Sequence, residues 1–265
     1  MSLQIDLLDK RAIVTGVSSG IGASIAKVLA MAGCDVAGCG THSADTPEVA
    51  QFHQSVKQAG RRAFYLQADL RDAVQLRTFT TQAATCLGGI DVLVSNAGRN
   101  IFRGVEGCTE ADWSDCMELD LASHWRLCQA TAGKLRSGRS PVIIIISSNH
   151  AYSTIPGCFP YNVAKAGLKA MVQSLAIEWG PVIRAVGIAP GFIDTPGNDA
   201  WFQSFPDPAA ERQRTENLHP VHRLGTPEEI GALCAFLASS HAAFMTGVTV
   251  LIDGGRSALM QDSSP

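Results

Sequence analysis

No stretch of this sequence concentrates positive charge. Its 21 Lys and Arg are scattered among 24 Asp and Glu, for a formal net charge of −3, and without a basic stripe nothing marks the chain for nucleic acid. Long hydrophobic runs are also missing. The longest unbroken aliphatic stretch, Val142 to Ile146, is far too short to cross a bilayer, so no membrane partner is expected. The opening MSLQIDLLDK is acidic and holds no apolar h-region, which points to a cytoplasmic chain. Eight cysteines, at 34, 39, 86, 108, 116, 128, 158 and 234, form no CxxC and no Cys/His cluster at ligand spacing. Neither disulfides nor a metal site is therefore expected. No linker interrupts the 265 residues, and 46% hydrophobic content at this length suits one large core.

What is present is an alternation of strand-like and helical segments. The pattern predicts strands at 12–15, 35–39, 62–67, 90–94, 141–147, 182–189 and 248–252. Helices are expected at 21–32, 47–59, 72–87, 110–135, 160–179 and 227–238. Strands such as VIIII and IDVLV lack polar alternation, as strands covered on both faces do. The repeated order predicts a single α/β domain over 1–265, a doubly wound parallel sheet of Rossmann type in three layers. The stretch 191–226, rich in proline and holding Trp201, Phe202 and Phe205, interrupts the pattern and reads as a lid or as a short helix packed by its aromatics. The tail 256–265 reads as flexible.

Two constellations carry chemistry. Near the N-terminus, Ala12–Ile13–Val14 lead into TGVSSGIG and then into a helical run. A strand, a glycine turn and a helix start aim free N–H groups and a positive dipole end at a pyrophosphate. Gly16 permits the turn, Gly20 lets the backbone approach the phosphates, and Gly22 lets the helix pack on the strand. Far along the chain, Tyr161 and Lys165 of YNVAK are four apart, on one helix face, so an ammonium can lie beside a phenol and help it ionise. Spacing alone describes many solvated helix faces. Its weight comes from Ser148, thirteen positions upstream of the tyrosine.

Taken in order, TGVSSGIG, the aspartate of QADL, SNAG, the serines of IIIISS, YNVAK, APGFIDT and the final IDGG resemble the short-chain dehydrogenases/reductases from about Leu7 to Gly255. The resemblance implies an oxidoreductase with a nicotinamide cofactor, acting on a CH–OH group, and commonly a homotetramer. It assigns Tyr161 as acid/base, Lys165 as the residue that lowers its pKa and holds the nicotinamide ribose, and Ser148 as the partner of the substrate oxygen. Ser147 is the near rival, and the family's thirteen-residue spacing selects Ser148. Ser18, Ser19 and Ile21 join the three glycines around the phosphates. Asp69 and Leu70 are implied at the adenine and Asn96, Ala97 and Gly98 at its ribose side. Pro190, Gly191, Ile193 and Thr195 are implied at the carboxamide. Asp120 stands where the family usually has an asparagine that orders a water relay to the lysine. Ser95 and Val186 likewise replace common asparagines.

Neither an acid nor a base ends the second strand, which reads GCGTHS, so NAD and NADP both remain open. His42 could meet a 2′-phosphate, whereas AGCDVAG and AGRRAFYLQADLRD look like the NAD-linked 2-deoxy-D-gluconate 3-dehydrogenase branch, which inclines the reading to NAD. Asn149, His150, Ser153, Asn198 and Trp201 would make a pocket of polar groups with an aromatic wall, suited to a sugar, sugar acid or polyol. A 3-oxoacyl carrier-protein reductase or a general carbonyl reductase shares these motifs. A catalytically silent nucleotide-binding protein is the alternative from another class. Apolar positions on the two helices (Leu121, Trp125 and Leu127; Leu168, Met171, Val172 and Leu175) predict helix packing between subunits, in a homotetramer or homodimer.

Overall fold

The computed structural model describes residues 4–259. Seven strands, β1 (Arg11–Thr15), β2 (Asp35–Gly40), β3 (Ala63–Gln67), β4 (Val92–Ser95), β5 (Val142–Ile146), β6 (Arg184–Pro190) and β7 (Thr249–Ile252), form one sheet in the order β3-β2-β1-β4-β5-β6-β7. Every pairing is parallel. The strand order reverses between β1 and β4, and in such sheets ligands bind at the carboxyl ends beside that reversal.

Helices cover both faces. On one lie α1 (Gly20–Met31), α2 (Pro47–Gln58) and α9 (Pro227–Ala238); on the other lie α3 (Ala73–Leu87), α5 (Ser123–Arg136) and α6 (Tyr161–Trp179). The run VIIII feeds both layers: Val142, Ile144 and Ile146 enter one core, Ile143 and Ile145 the other. That two-sided burial is why β5 carries no polar alternation, and each such side chain contributes about 1.5–3 kcal/mol. Among the described residues no helix is long and apolar enough to cross a membrane, and no three His, Cys, Asp or Glu cluster as metal ligands would. The eight cysteines are free.

Four expectations change. The helix foreseen over 110–135 is α4 (Glu110–Met117), a π-helical turn at Glu118–Ala122, and α5. The wider turn inserts a residue into the helical register and swings Asp120 to the interior. The segment 191–226 is not irregular throughout, since Thr195 and Asp207 cap α7 (Pro196–Phe202) and α8 (Pro208–Asn217), each with proline in the first turn. The tail is ordered through Leu259. Asp253 accepts from the N–H groups of Gly255 and Ser257 and folds Arg256–Ala258 into a 3-10 turn; residues 260–265 lie outside the described residues. Finally, Leu127, Leu168, Val172 and Leu175 pack on the sheet of their own chain. They are not a free stripe. The exposed apolar residues are others, among them Trp113, Trp125, Ile177 and Phe244.

Candidate active site

The carboxyl ends of the strands open into one cleft of about 1990 Å³, large for a single small molecule, for which pockets of roughly 300–1,000 Å³ are usual. All the site residues foreseen from the sequence line it except Asp120, which is fully buried behind the wall.

At one end lies the glycine loop between β1 and α1. Gly16 and Gly20 have φ of +74° and +57°, which disfavours any side chain, and a side chain at Gly22 would collide with the Gly16 carbonyl. Ser19 precedes α1 without a capping bond, and no acid stands in its first turn. The helix's leading N–H groups are thus left for an anion. SNAG is pinned to β1. The N–H groups of Asn96 and Ala97 donate to Thr15 Oγ1, each at 2.9 Å, and Asn96 Nδ2 donates to the Thr15 carbonyl at 2.8 Å. Asn96 therefore shapes the wall and offers little else. Ser95 Oγ lies 2.7 Å from His124 Nδ1 inside the core. At the far lip, Asp69 is gripped by Arg71 at 2.6 Å, which holds its carboxyl below the ordinary range. Leu70 is buried beneath it. Gly40, Thr41 and His42 line the cleft where β2 ends.

The opposite wall carries the second constellation. Tyr161 begins α6, almost fully buried, and Lys165 one turn on places its Nζ 5.3 Å from the centre of the phenol ring. Ser147 donates to the Lys165 carbonyl at 2.8 Å, so its hydroxyl is spent on holding α6 to β5. The Ser148 hydroxyl accepts from the His150 N–H at 3.2 Å and donates to Asn149 Oδ1 at 3.4 Å, and its influence on the Tyr161 phenol is to lower the pKa. Ser148 thus keeps its hydroxyl at the cleft wall, while that of Ser147 is used within the fold. Phe102 and His150 pack edge-on against the Tyr161 ring at 5.3 and 6.0 Å. Burial, then the charge of Arg256, pushes the His150 imidazole down, so it stands neutral at pH 7.

Asp120 lies 3.2 Å from Lys165 Nζ through Oδ1, which also accepts from the Arg99 N–H at 3.2 Å. A side chain at Gly98 would strike that carboxylate, so glycine there lets the wall close over the pair. Burial is the largest single influence and would lower the Lys165 pKa, but Asp120, Tyr161 and Cys116 together outweigh it and the net direction is up. Burial raises Asp120 against the pull of Lys165. Tyr161 differs from the expectation. Burial pushes the phenol up, Lys165 pulls it down by less, and Asp120 opposes Lys165, so it sits above the ordinary tyrosine range. The lysine moves the phenol in the expected direction without prevailing.

At the substrate end, Asn149 and Ser153 face the cleft. Asn198 Nδ2 donates to the Ile193 carbonyl at 2.7 Å, and Thr195 caps α7, so these two mainly fix the turn after Pro190 and Gly191. Trp201 lines the cleft and packs on Phe192, Phe202 and Phe205. It is both wall and packing. No motif signalled Phe102, brought in by the 99–104 loop, nor Thr215, His219 and Arg256, which reach the cleft from α8, the loop after it and the tail.

The profile of the family described as Enoyl-(Acyl carrier protein) reductase matches residues 16–257. The 3beta-hydroxysteroid dehydrogenase 1 of Eggerthella lenta is 31% identical over 252 residues, 94% of each chain. The probable galactose dehydrogenase GalD of Rhizobium meliloti is 32% identical over 251 residues, 94% of this chain and 96% of that one. The solved aldohexose dehydrogenase of Thermoplasma acidophilum superposes with a TM-score of 0.88 at 26% identity, over 98% of both chains. These relatives are varied dehydrogenases and do not single out the deoxygluconate branch. Sheet order, glycine cradle and matched length agree, and the chain belongs to the short-chain dehydrogenase/reductase family of oxidoreductases.

Proposed function

We propose that this chain, acting in the cytoplasm, interconverts a secondary alcohol and a ketone on a polyhydroxylated substrate such as a sugar, sugar acid or polyol. NAD is the favoured cofactor. The observation that carries the reading is the placing of Ser148, Tyr161 and Lys165 on one wall of a cleft whose other end is the glycine cradle. The residues present fit a dinucleotide. Gly16, Gly20 and Gly22 leave the backbone bare where phosphates would lie, and the α1 amides are uncapped. Ser18 and Ile21 line the same loop, and Pro190, Gly191, Ile193 and Thr195 line the cleft, with Thr195 close to Gly20. Gly40 and Thr41, where an acid or a base would choose between NAD and NADP, choose neither; the preference for NAD rests on the likeness of AGCDVAG and AGRRAFYLQADLRD to NAD-linked relatives.

When bound, the nicotinamide supplies the hydride acceptor and, oxidised, a positive charge. The chain does the rest. Ser148 holds the substrate oxygen, Tyr161 takes its proton as the alcohol is oxidised and returns it in reduction, and Lys165 stabilises the phenolate. Asp120 keeps Lys165 charged. The segment 191–226 closes over the substrate end, with Trp201 as an apolar wall. Sugar dehydrogenases among the relatives support the polyhydroxylated class.

The test offers NAD and NADP with sugars, sugar acids, polyols and secondary alcohols, following reduced cofactor. Tyr161→Phe removes one hydroxyl and keeps the ring, so turnover should fall at least ~100-fold with cofactor affinity kept. Lys165→Ala should reduce both. Near-normal turnover by Tyr161→Phe on a true substrate would refute the reading.

A further inference from the structure

The cleft has a second polar end that the hydride-transfer groups do not use. Thr215 and His219 are 5% and 3% exposed, and both line it. Thr215 Oγ1, His219 Nε2 and Ser257 Oγ are buried without a hydrogen-bond partner. A buried polar atom left unpaired is unfavourable unless something meets it. The loop after α8 packs on the turn that leads to Arg256 and Ser257. His219 follows α8, a side chain at Gly254 would touch its ring at 3.5 Å, and the Val221 N–H donates to the Gly254 carbonyl. Arg256 and Ser257 come next along that turn.

Charge distinguishes this end. Of the other cations on the wall, Arg71 and Arg99 hold Asp115, Arg103 holds Asp112, Arg214 holds Glu211 and Lys165 holds Asp120. Among the described residues Arg256 has no carboxylate and its side chain donates to nothing, yet its charge is felt by His150 beside Tyr161. One uncommitted guanidinium matches a monoanion, and its planar fork matches a carboxylate. His219 Nδ1–H donates to the Thr215 carbonyl at 2.8 Å, so in the neutral ring Nε2 is an acceptor and suits a hydroxyl rather than an anion. The hydroxyls of Thr215 and Ser257 can turn either way.

We propose that this end of the cleft selects a polyhydroxy acid, with its carboxylate on Arg256 and a hydroxyl donating to His219 Nε2. This rests on the hydride-transfer reading and narrows its substrate from polyhydroxylated compounds to their acids. An Nε2 that accepts rather than donates, together with the single guanidinium, disfavours a phosphate dianion.

The test is calorimetric, on Tyr161→Phe protein saturated with NAD or NADP, so that binding is read without turnover. Probes are gluconate and shorter polyhydroxy acids, each with its amide, its polyol and a sugar phosphate of equal length. The expected result is an acid bound at least ten-fold tighter than its amide and its phosphate analogue. Arg256→Gln should collapse the acid-to-amide ratio toward one, and His219→Phe should weaken acid and amide alike. Acid and amide binding equally, tighter binding of the phosphate, binding of no acid at all, or an Arg256→Gln loss shared equally by acid and amide would each overturn the proposal. Acids that bind selectively but are never oxidised by the unaltered enzyme would instead overturn the reading of the reaction. Neutral sugars oxidised as well as acids would leave that reading intact and remove this one.

Discussion

Replacing Asp120 by asparagine removes one buried charge and almost no volume. Lys165 Nζ is 3.2 Å from Asp120 Oδ1 and 5.3 Å from the Tyr161 ring centre. Carboxylate and phenol are therefore no more than roughly 9 Å apart, where two unit charges interact by about 2 kcal/mol at an effective dielectric of about 20. Asp120 disfavours the phenolate, so its removal lowers the Tyr161 pKa. Allowing for relaxation around the new side chain, the shift should be about one unit. Under the proposed mechanism the rate of alcohol oxidation should rise with pH as the phenol ionises, and in Asp120→Asn that rise should move about one unit toward acid. At the plateau, kcat should change by less than tenfold. The amide oxygen still accepts from the Arg99 N–H but leaves Lys165 without a counter-charge, so stability should fall by about 3 kcal/mol, the lower end for a broken buried pair. The assay is kcat/KM for one alcohol across the alkaline range, with urea unfolding of both proteins. A rise that stays in place or moves toward alkali would show that Asp120 does not act on Tyr161 through its charge. A gain above tenfold, about 1.4 kcal/mol of barrier, at every pH would show instead that the carboxylate obstructs proton transfer.

Two further outcomes follow from buried groups and exposed surface. His124 is held neutral in the core, its pKa pulled down to about 3 by burial and then by Lys165. The unfolded chain binds a proton there that the folded chain refuses, so this contribution is intact above about pH 6.5 and is lost as pH falls toward 3, by about 2 kcal/mol at pH 5. His124→Asn keeps a nitrogen for Ser95 Oγ, and the gap in urea stability between pH 7 and pH 5 should shrink by that amount; an unchanged gap would place the acid sensitivity elsewhere. Trp113, Trp125, Ile177 and Phe244 leave apolar surface in water. Light scattering at micromolar concentration should give a tetramer or a dimer, and a monomer mass would refute it.

The local code was legible in the sequence where chemistry is short-range. The glycine loop is written in consecutive residues because positive φ and close backbone approach are properties of glycine itself. YNVAK brings Tyr161 and Lys165 together because one helical turn is four residues. Two-sided burial could likewise be read from VIIII, since a covered strand needs no polar face. Other features needed the assembled molecule. A π turn differs from α-helix by one residue per turn and has no composition of its own, so MELDL read as ordinary helix while the fold turned Asp120 onto Lys165. The net direction of the Tyr161 pKa is a balance between burial and two charges, and burial is a property of the whole core. The apolar positions of α5 and α6 show period but not which neighbour covers them, and the sheet of the same chain does so. Arg256 looked like part of a loose tail because nothing next to it in sequence explains it. Only the packing of Gly254 and Gly255 against the His219–Val221 loop sets it at the mouth of the cleft. Sequence thus determined the fold and the proposed trio of Ser148, Tyr161 and Lys165. The tertiary structure decided the charges around that trio and the far wall of its pocket, because those depend on contacts between residues distant along the chain.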